Sequence, residues 1–291
     1  MPEGQIVRAV SGFYYIRSAE GDVQCRARGV FKKRKQSPLV GDMVTYEPTD
    51  PGQGVVTAIA PRTSELMRPP IANVEQAVVV ASLREPGVQR ELLDRFLVHA
   101  EREGLRIIIC LTKGDLVDDS GEVDAIRTVY DPAGYPVLVT SAHTGEGVEE
   151  LAAELAGRLS VFAGQSGVGK SSLLNTILPE VELATGEVSR KLGRGRHTTR
   201  QVEILALPGG GQVADTPGFS QLSFQQMEET ALGECFPEMA LRSPQCKFRG
   251  CLHHNEPRCA VQEAVKRGEI DEGRYRNYLQ FLDEIREQRR Y

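Results

Sequence analysis

Residues 164–171 read Gly164-Gln165-Ser166-Gly167-Val168-Gly169-Lys170-Ser171, a complete match to the pattern G-x-x-x-x-G-K-[ST]. The stretch follows Leu159-Ala163, a short apolar run that reads as a buried strand, and opens the helical stretch Ser172-Leu178. The chemistry needs that context. Glycines let backbone N–H groups turn inward around phosphate oxygens, at a helix N-terminus whose dipole favours negative charge. Lys170 can reach the β- and γ-phosphates of a nucleotide, the Ser171 hydroxyl can ligate Mg²⁺, and Ser172 belongs to the same binding turn. Alone, the motif does not separate ATP from GTP.

Working downstream, Asp215-Thr216-Pro217-Gly218 lies 44 residues after Ser171 and follows the strand-like Gly211-Ala214. An aspartate at a strand end can hold Mg²⁺ through water, and the Gly218 N–H can sense the γ-phosphate. Upstream, Thr112-Lys113-Gly114-Asp115 follows the buried strand Arg106-Leu111. The Asp115 carboxylate can accept from guanine N1–H and the exocyclic amino group together, and adenine offers neither donor there. Lys113 can lay its aliphatic stem over the base. Thr112 departs from the asparagine that begins the common form; it lacks the amide, which alters the contacts around guanine N7 but not the selectivity resting on Asp115. Ser141-Ala142, after the strand Val137-Thr140, would bring a backbone N–H to guanine O6.

These four elements are those of small G proteins in rotated order: both base-reading stretches precede the phosphate loop. Rotation is open to a fold whose termini lie close together. The join is legible, because Val148, Leu151, Ala152 and Leu155 mark a helix that ends about three residues before the phosphate-loop strand. Gln76-Ser82 reads as a further buried strand and Arg90-Glu103 as an amphipathic helix with Leu93, Phe96, Leu97 and Ala100 on one face. Strands alternating with helices over residues 66–230 imply an α/β domain with a mostly parallel sheet.

Residues 1–65 differ in character. Gln5-Val10, Gly12-Arg17, Asp22-Ala27, Met43-Glu47 and Gly54-Ala60 read as short strands spaced for a small antiparallel barrel, for which the OB-fold is one form. Net charge over the 291 residues is only −5, which by itself points to neither nucleic acid nor a membrane surface. Six of the ten residues from Arg26 to Lys35 are basic, however, and a local patch can bind polyanions on an acidic chain. The start, MPEGQIVRAV, does not read as a secretory signal, and no apolar run approaches the ~20 residues of a membrane span. A cytosolic setting favours reduced thiols, where clustered cysteines are metal ligands more often than disulfides. Cys246, Cys251, His253 and Cys259 fall within 14 residues with the spacing C-x4-C-x-H-x5-C. Three thiolates and an imidazole form a closed tetrahedral set, expected to hold one structural Zn²⁺. His254 and Cys235 stand near enough to replace one of the four. Helices ending in Tyr275-Arg289 complete the zone 231–291.

On these residues together the chain resembles the family of ribosome small subunit-dependent GTPase A (RsgA, also YjeQ) over essentially its whole length. The resemblance implies an OB-fold RNA-binding domain (1–65), a circularly permuted GTPase domain (66–230) and a small α-helical zinc-binding domain (231–291). It also implies a cytoplasmic, monomeric GTPase that acts in late maturation of the small (30S) ribosomal subunit. GTP binding would favour association with the subunit and its rRNA, and hydrolysis to GDP would favour release. Gly193-Arg194-Gly195-Arg196-His197-Thr198-Thr199 would then be the first switch, with Thr198 or Thr199 completing the Mg²⁺ shell. Phe219 stands where many G proteins carry a water-orienting glutamine, and the family proposal assigns that role to His197. A basic loop gives His197 an alternative, contact with RNA. A nucleotide-gated RNA-binding module with incidental hydrolysis is the alternative for the whole chain.

Overall fold

The structure, a computed structural model, describes residues 1–29, 31, 37–67, 69–179, 202–215, 222–224 and 227–288, and of Asp215 the backbone. His197, Thr198, Thr199, Gly218, Phe219 and the basic residues Lys32–Lys35 therefore lie outside the described residues.

Alternating burial builds the first unit. Strands β1 (Glu3–Val10), β2 (Phe13–Ser18), β3 (Gly21–Ala27), β4 (Met43–Pro48) and β5 (Gln53–Ile59) send Ile6, Ile16, Cys25, Val44, Tyr46 and Val56 inward. They pair in the order β1-β2-β3-β5-β4, and β4 returns to β1 through Glu3↔Thr45 and Gly4↔Val44. The ring is a closed five-stranded barrel, which removes every free edge. A register shift between Ile6 and Arg8 bends β1, the usual effect of a bulge, so that its far end can serve another sheet.

After a two-stranded hairpin, β6 (Glu65–Met67) and β7 (Pro70–Ala72), comes the α/β unit. Its elements are β8 (Gln76–Ser82), α1 (Arg90–Arg102), β9 (Arg106–Thr112), α2 (Ser120–Tyr130), β10 (Val137–Val139), α3 (Val148–Leu155), β11 (Leu159–Ala163), α4 (Lys170–Ile177), β12 (Glu203–Ala206) and β13 (Gln212–Asp215). The sheet order is β10-β9-β8-β11-β13-β12, parallel except for β12. All seven residues of β8 are buried because both faces are covered. Ala77, Val79 and Ala81 face Leu93, Phe96 and Leu97 of α1, whereas Val78 and Val80 face Leu151, Leu155, Leu173 and Leu174 of α3 and α4.

The third unit gathers around α5 (Ala260–Lys266) and α6 (Glu272–Gln288), with short helical turns at Glu229–Leu232 and Pro237–Ala240. Its core holds Phe236, Met239, Val261, Tyr278, Phe281 and Ile285, and it takes in Phe224 and Met227 from ahead of residue 231. Helix α1 joins this unit to the sheet. Val98 packs into the third core, and the buried Asp94 meets Arg274 of α6. Helix α6 begins a turn earlier than Tyr275, because the Asp271 carboxylate accepts from the Arg274 N–H at 2.9 Å.

Candidate functional site

The strand order reverses between β8 and β11, and open α/β sheets bind ligands at the carboxyl ends of strands beside such a point. The loops singled out in the sequence converge on that edge. Residues 164–169 follow β11, 112–115 end and follow β9, and 141–145 follow β10. Gly164 passes so close to the Val80 carbonyl of β8 that a Cβ would stand 2.3 Å from its oxygen. Gly169 caps α4 with φ +94°, a left-handed turn that favours glycine and starts the helix pointing its free N–H groups into the loop.

Lys170 curls over this loop, and its Nζ donates to the carbonyls of Gly164 at 2.7 Å and Gln165 at 2.8 Å. Burial pushes the ammonium's pKa down to about 8. Ser171 is half-buried and Ser172 exposed on the first turn of α4. The Thr112 hydroxyl, buried, donates to the Val168 carbonyl and thereby ties the 112–115 stretch to the phosphate loop. That contact answers the departure from asparagine: threonine keeps a donor toward the loop.

Lys113 takes a left-handed conformation (φ 60°), and its ammonium donates to the carbonyls of Arg84 at 3.2 Å and Glu85 at 2.6 Å. Asp115 is exposed in the 3-10 turn Gly114–Leu116. The Gly114 N–H donates to the Thr140 carbonyl at 3.1 Å, which sets the 112–115 stretch against the 141–145 loop. There the Ser141 N–H donates to Glu146 and its hydroxyl accepts from the N–H groups of His143 and Thr144. Sequence reading missed Arg84, whose carbonyl helps hold Lys113 and whose guanidinium makes a bidentate pair with Glu122. Nothing periodic marks it; only its place just past a central strand end could have done so. On the far side, β13 carries the backbone of Asp215 to the same edge, beside β11.

About 14 residues of the third unit form a second site. The donor atoms of Cys246, Cys251, His253 and Cys259 all lie within 4.8 Å of one another. Tetrahedral zinc with Zn–S about 2.3 Å and Zn–N about 2.0 Å would separate sulfur pairs by about 3.8 Å and sulfur–nitrogen pairs by about 3.5 Å. Here Cys246 Sγ and Cys259 Sγ are 3.9 Å apart, and His253 Nδ1 lies 3.6 and 3.3 Å from them. The cluster can hold a metal ion of that size. Cys235 instead donates to the Ala231 carbonyl, and His254 Nδ1 faces Arg286. Glu256, not foreseen, accepts from the N–H groups of Leu252, His254 and Asn255 and so shapes the loop.

Of the basic residues on the barrel, Arg28 pairs with Glu47 at 2.6 Å, and Arg26 lies over the Phe13 ring at 4.6 Å. Among the described residues, no helix is long and apolar enough to cross a membrane.

A five-stranded barrel, a parallel sheet whose phosphate-loop strand is central yet late in the chain, and a terminal Cys3His cluster define a circularly permuted GTPase. The chain belongs to the RsgA GTPase family, whose model matches residues 59–225, while the RsgA N-terminal domain model matches residues 3–56. The chain is 54% identical over 293 residues to the small ribosomal subunit biogenesis GTPase RsgA of Shouchella clausii, covering 100% of this chain and 99% of that protein. Against the protein of the same name from Bacillus anthracis it is 53% identical over 291 residues, 99% of each. Among solved structures, YjeQ from Thermotoga maritima matches with a TM-score of 0.87 at 37% identity, over 97% of this chain and 98% of that one. YloQ, described as a circularly permuted GTPase, matches with a TM-score of 0.84 at 44% identity, over 99% and 96%.

Proposed function

We propose that this chain hydrolyses GTP in the late maturation of the small ribosomal subunit, binding the subunit and its rRNA in the GTP state and leaving after hydrolysis. The observation that carries the reading is the convergence of the 112–115, 141–145 and 164–171 loops on one sheet edge, in permuted order, within this family. Gly164–Ser172 cradle the phosphates, with Lys170 leaving its carbonyl partners for the β- and γ-phosphates. Ser171 ligates Mg²⁺, helped by Asp215 through water and by Thr198 or Thr199, and Gly218 reports the γ-phosphate. Asp115 reads the guanine edge while the stem of Lys113, steadied from Arg84 and Glu85, supports the base. The Ser141 N–H is already engaged, so Ala142 offers the donor for guanine O6.

His197 orients the attacking water, since the Phe219 side chain has no group to do so; His197→Ala then lowers kcat and spares GTP affinity. Residues 1–65, 66–230 and 231–291 act as RNA-binding, GTPase and zinc-binding domains of a cytoplasmic monomer. Cys246, Cys251, His253 and Cys259 hold one structural Zn²⁺. The metal supplies folding free energy to a loop with little apolar content.

Co-sedimentation with separated ribosomal subunits tests the reading. The protein should pellet with small subunits in a non-hydrolysable GTP analogue, far less in GDP, and not with large subunits. Equal pelleting in both nucleotides would leave the nucleotide-gated cycle without support.

A further inference from the structure

The barrel does not hang from the GTPase unit by a linker alone. The far end of β1, freed by its bulge, pairs antiparallel with β12 at Arg8↔Glu203, and the same Glu203 pairs with Asp215 on β13. Arg8, Glu203 and Asp215 thus form one row across three strands, and adjacent strands lie about 4.8 Å apart. A barrel residue therefore stands one strand away from the backbone of the aspartate at the nucleotide edge. Glu203 is also only four residues beyond Thr199 in the chain, at the close of the stretch 193–199.

A second tie runs parallel to the row. Gln212, at the start of β13, donates from its side-chain amide to Gln5 Oε1 of β1 at 2.6 Å. Its partner position on the intervening strand is Ala206. The barrel is fastened elsewhere too. Arg62, just past β5, makes a bidentate pair with the fully buried Asp42 and also reaches Glu65 and the Ser37 carbonyl. Asn73 donates to the Gly41 carbonyl at 2.9 Å, on the approach to β8. Among the described residues these bonds tie the barrel to the segment leading into β8, and β1 ties it to β12 and, through β12, to β13.

We infer that the β1–β12–β13 seam couples the barrel to the nucleotide edge at Asp215, so that RNA seated on the barrel raises GTP turnover through it, with Gln5 and Gln212 as positioning residues. This rests on the small-subunit reading above and adds the route by which the subunit acts. The barrel supplies no reacting group; it biases β12 and the end of β13, where Asp215 stands.

Three measurements on each of two variants test it: basal GTP turnover, turnover saturated with small subunits, and subunit affinity in a GTP analogue. Gln5→Met keeps the length but has no acceptor, whereas Gln5→Glu keeps the acceptor for Gln212. Gln5→Met should lose roughly threefold to tenfold in subunit-stimulated kcat, the scale of one hydrogen bond's net contribution. Its basal kcat and its subunit affinity should stay within twofold of wild type, and Gln5→Glu should retain stimulation. Full stimulation of Gln5→Met overturns the inference. So does a proportional fall in basal turnover, which would make the seam merely structural, or an equal loss in Gln5→Glu. If wild type itself is not stimulated by small subunits, the reading beneath the inference fails first, and that outcome is recognisable before any variant is made.

Discussion

Arg274 is the member of the third unit whose removal should cost most. Its guanidinium is 2% exposed and bonds Asp94 Oδ1 of α1 and both carboxylate oxygens of Glu238, at 2.6 and 3.1 Å. It also lies over the rings of Tyr130, Tyr135 and Phe236, at 5.0–5.6 Å to the centroids. Arg274→Met fills similar space but leaves two buried carboxylates without their cation. Asp94 keeps Tyr130 OH at 3.0 Å and Asn277 Nδ2 at 2.7 Å, so it is partly satisfied. Glu238 loses both of the side-chain bonds described here. Removing one partner of a buried ionic cluster costs about 3–5 kcal/mol, and the imbalance at Glu238 places this case inside that range. Arg267→Met, which breaks the exposed pair with Glu269, should cause no measurable loss. Arg274→Met/Glu238→Met should recover part of the stability, since it removes the orphaned charge at Glu238 while Asp94 keeps its Tyr130 and Asn277 partners. Because the chain has no tryptophan, release of the metal proposed for the Cys3His cluster to a chromogenic chelator across a urea series is the fitting readout. Should Arg274→Met release metal at the same urea concentration as Arg267→Met, or the double variant fare no better than the single, the cluster is not what fastens α6 to α1.

Other expectations follow from the two sites. Asp115→Asn should lower GTP affinity and raise that for xanthosine triphosphate, whose C2 oxygen can accept from an amide; comparable tight binding of ATP and GTP by wild type would contradict the assignment. Burial holds Lys170 at about 8 in the nucleotide-free chain. Below that pH the ammonium is already charged, and above it binding must take up a proton. GTP affinity at pH 9 should therefore fall about tenfold from its value at pH 7, with proton uptake visible by calorimetry in two buffers. A flat affinity across that range would remove Lys170 from the phosphates. Protein purified without chelator should carry one zinc per chain, and Cys251→Ser should abolish it while guanine nucleotide binding survives; zinc retained at full stoichiometry in Cys251→Ser would refute the ligand set.

The placement of the candidate loops was legible because each is a contiguous stretch whose residue types and spacing carry the signal: 164–171, 112–115 and the C-x4-C-x-H-x5-C cluster. The sheet was legible because β8 and β9 are buried on both faces and read as continuous apolar runs. What escaped the sequence joins residues far apart by polar contacts without period. Arg274 meets Asp94 across 180 positions, Gln212 meets Gln5 across 207, and neither pair has a local pattern. The same holds for Phe224, which packs against His99 and Phe281 in the third core while its neighbour Leu222 packs against the core shared by the barrel and the sheet. Hydrophobic periodicity marks a face but not the neighbour it will meet.

The most direct test of the whole reading is GTP turnover by the purified chain, alone and with saturating small ribosomal subunits. Slow basal hydrolysis that rises many-fold with small subunits, and not with large ones, is the expected result. Turnover unchanged by small subunits that nonetheless bind the protein would contradict it, leaving a nucleotide-gated RNA-binding module whose hydrolysis is incidental.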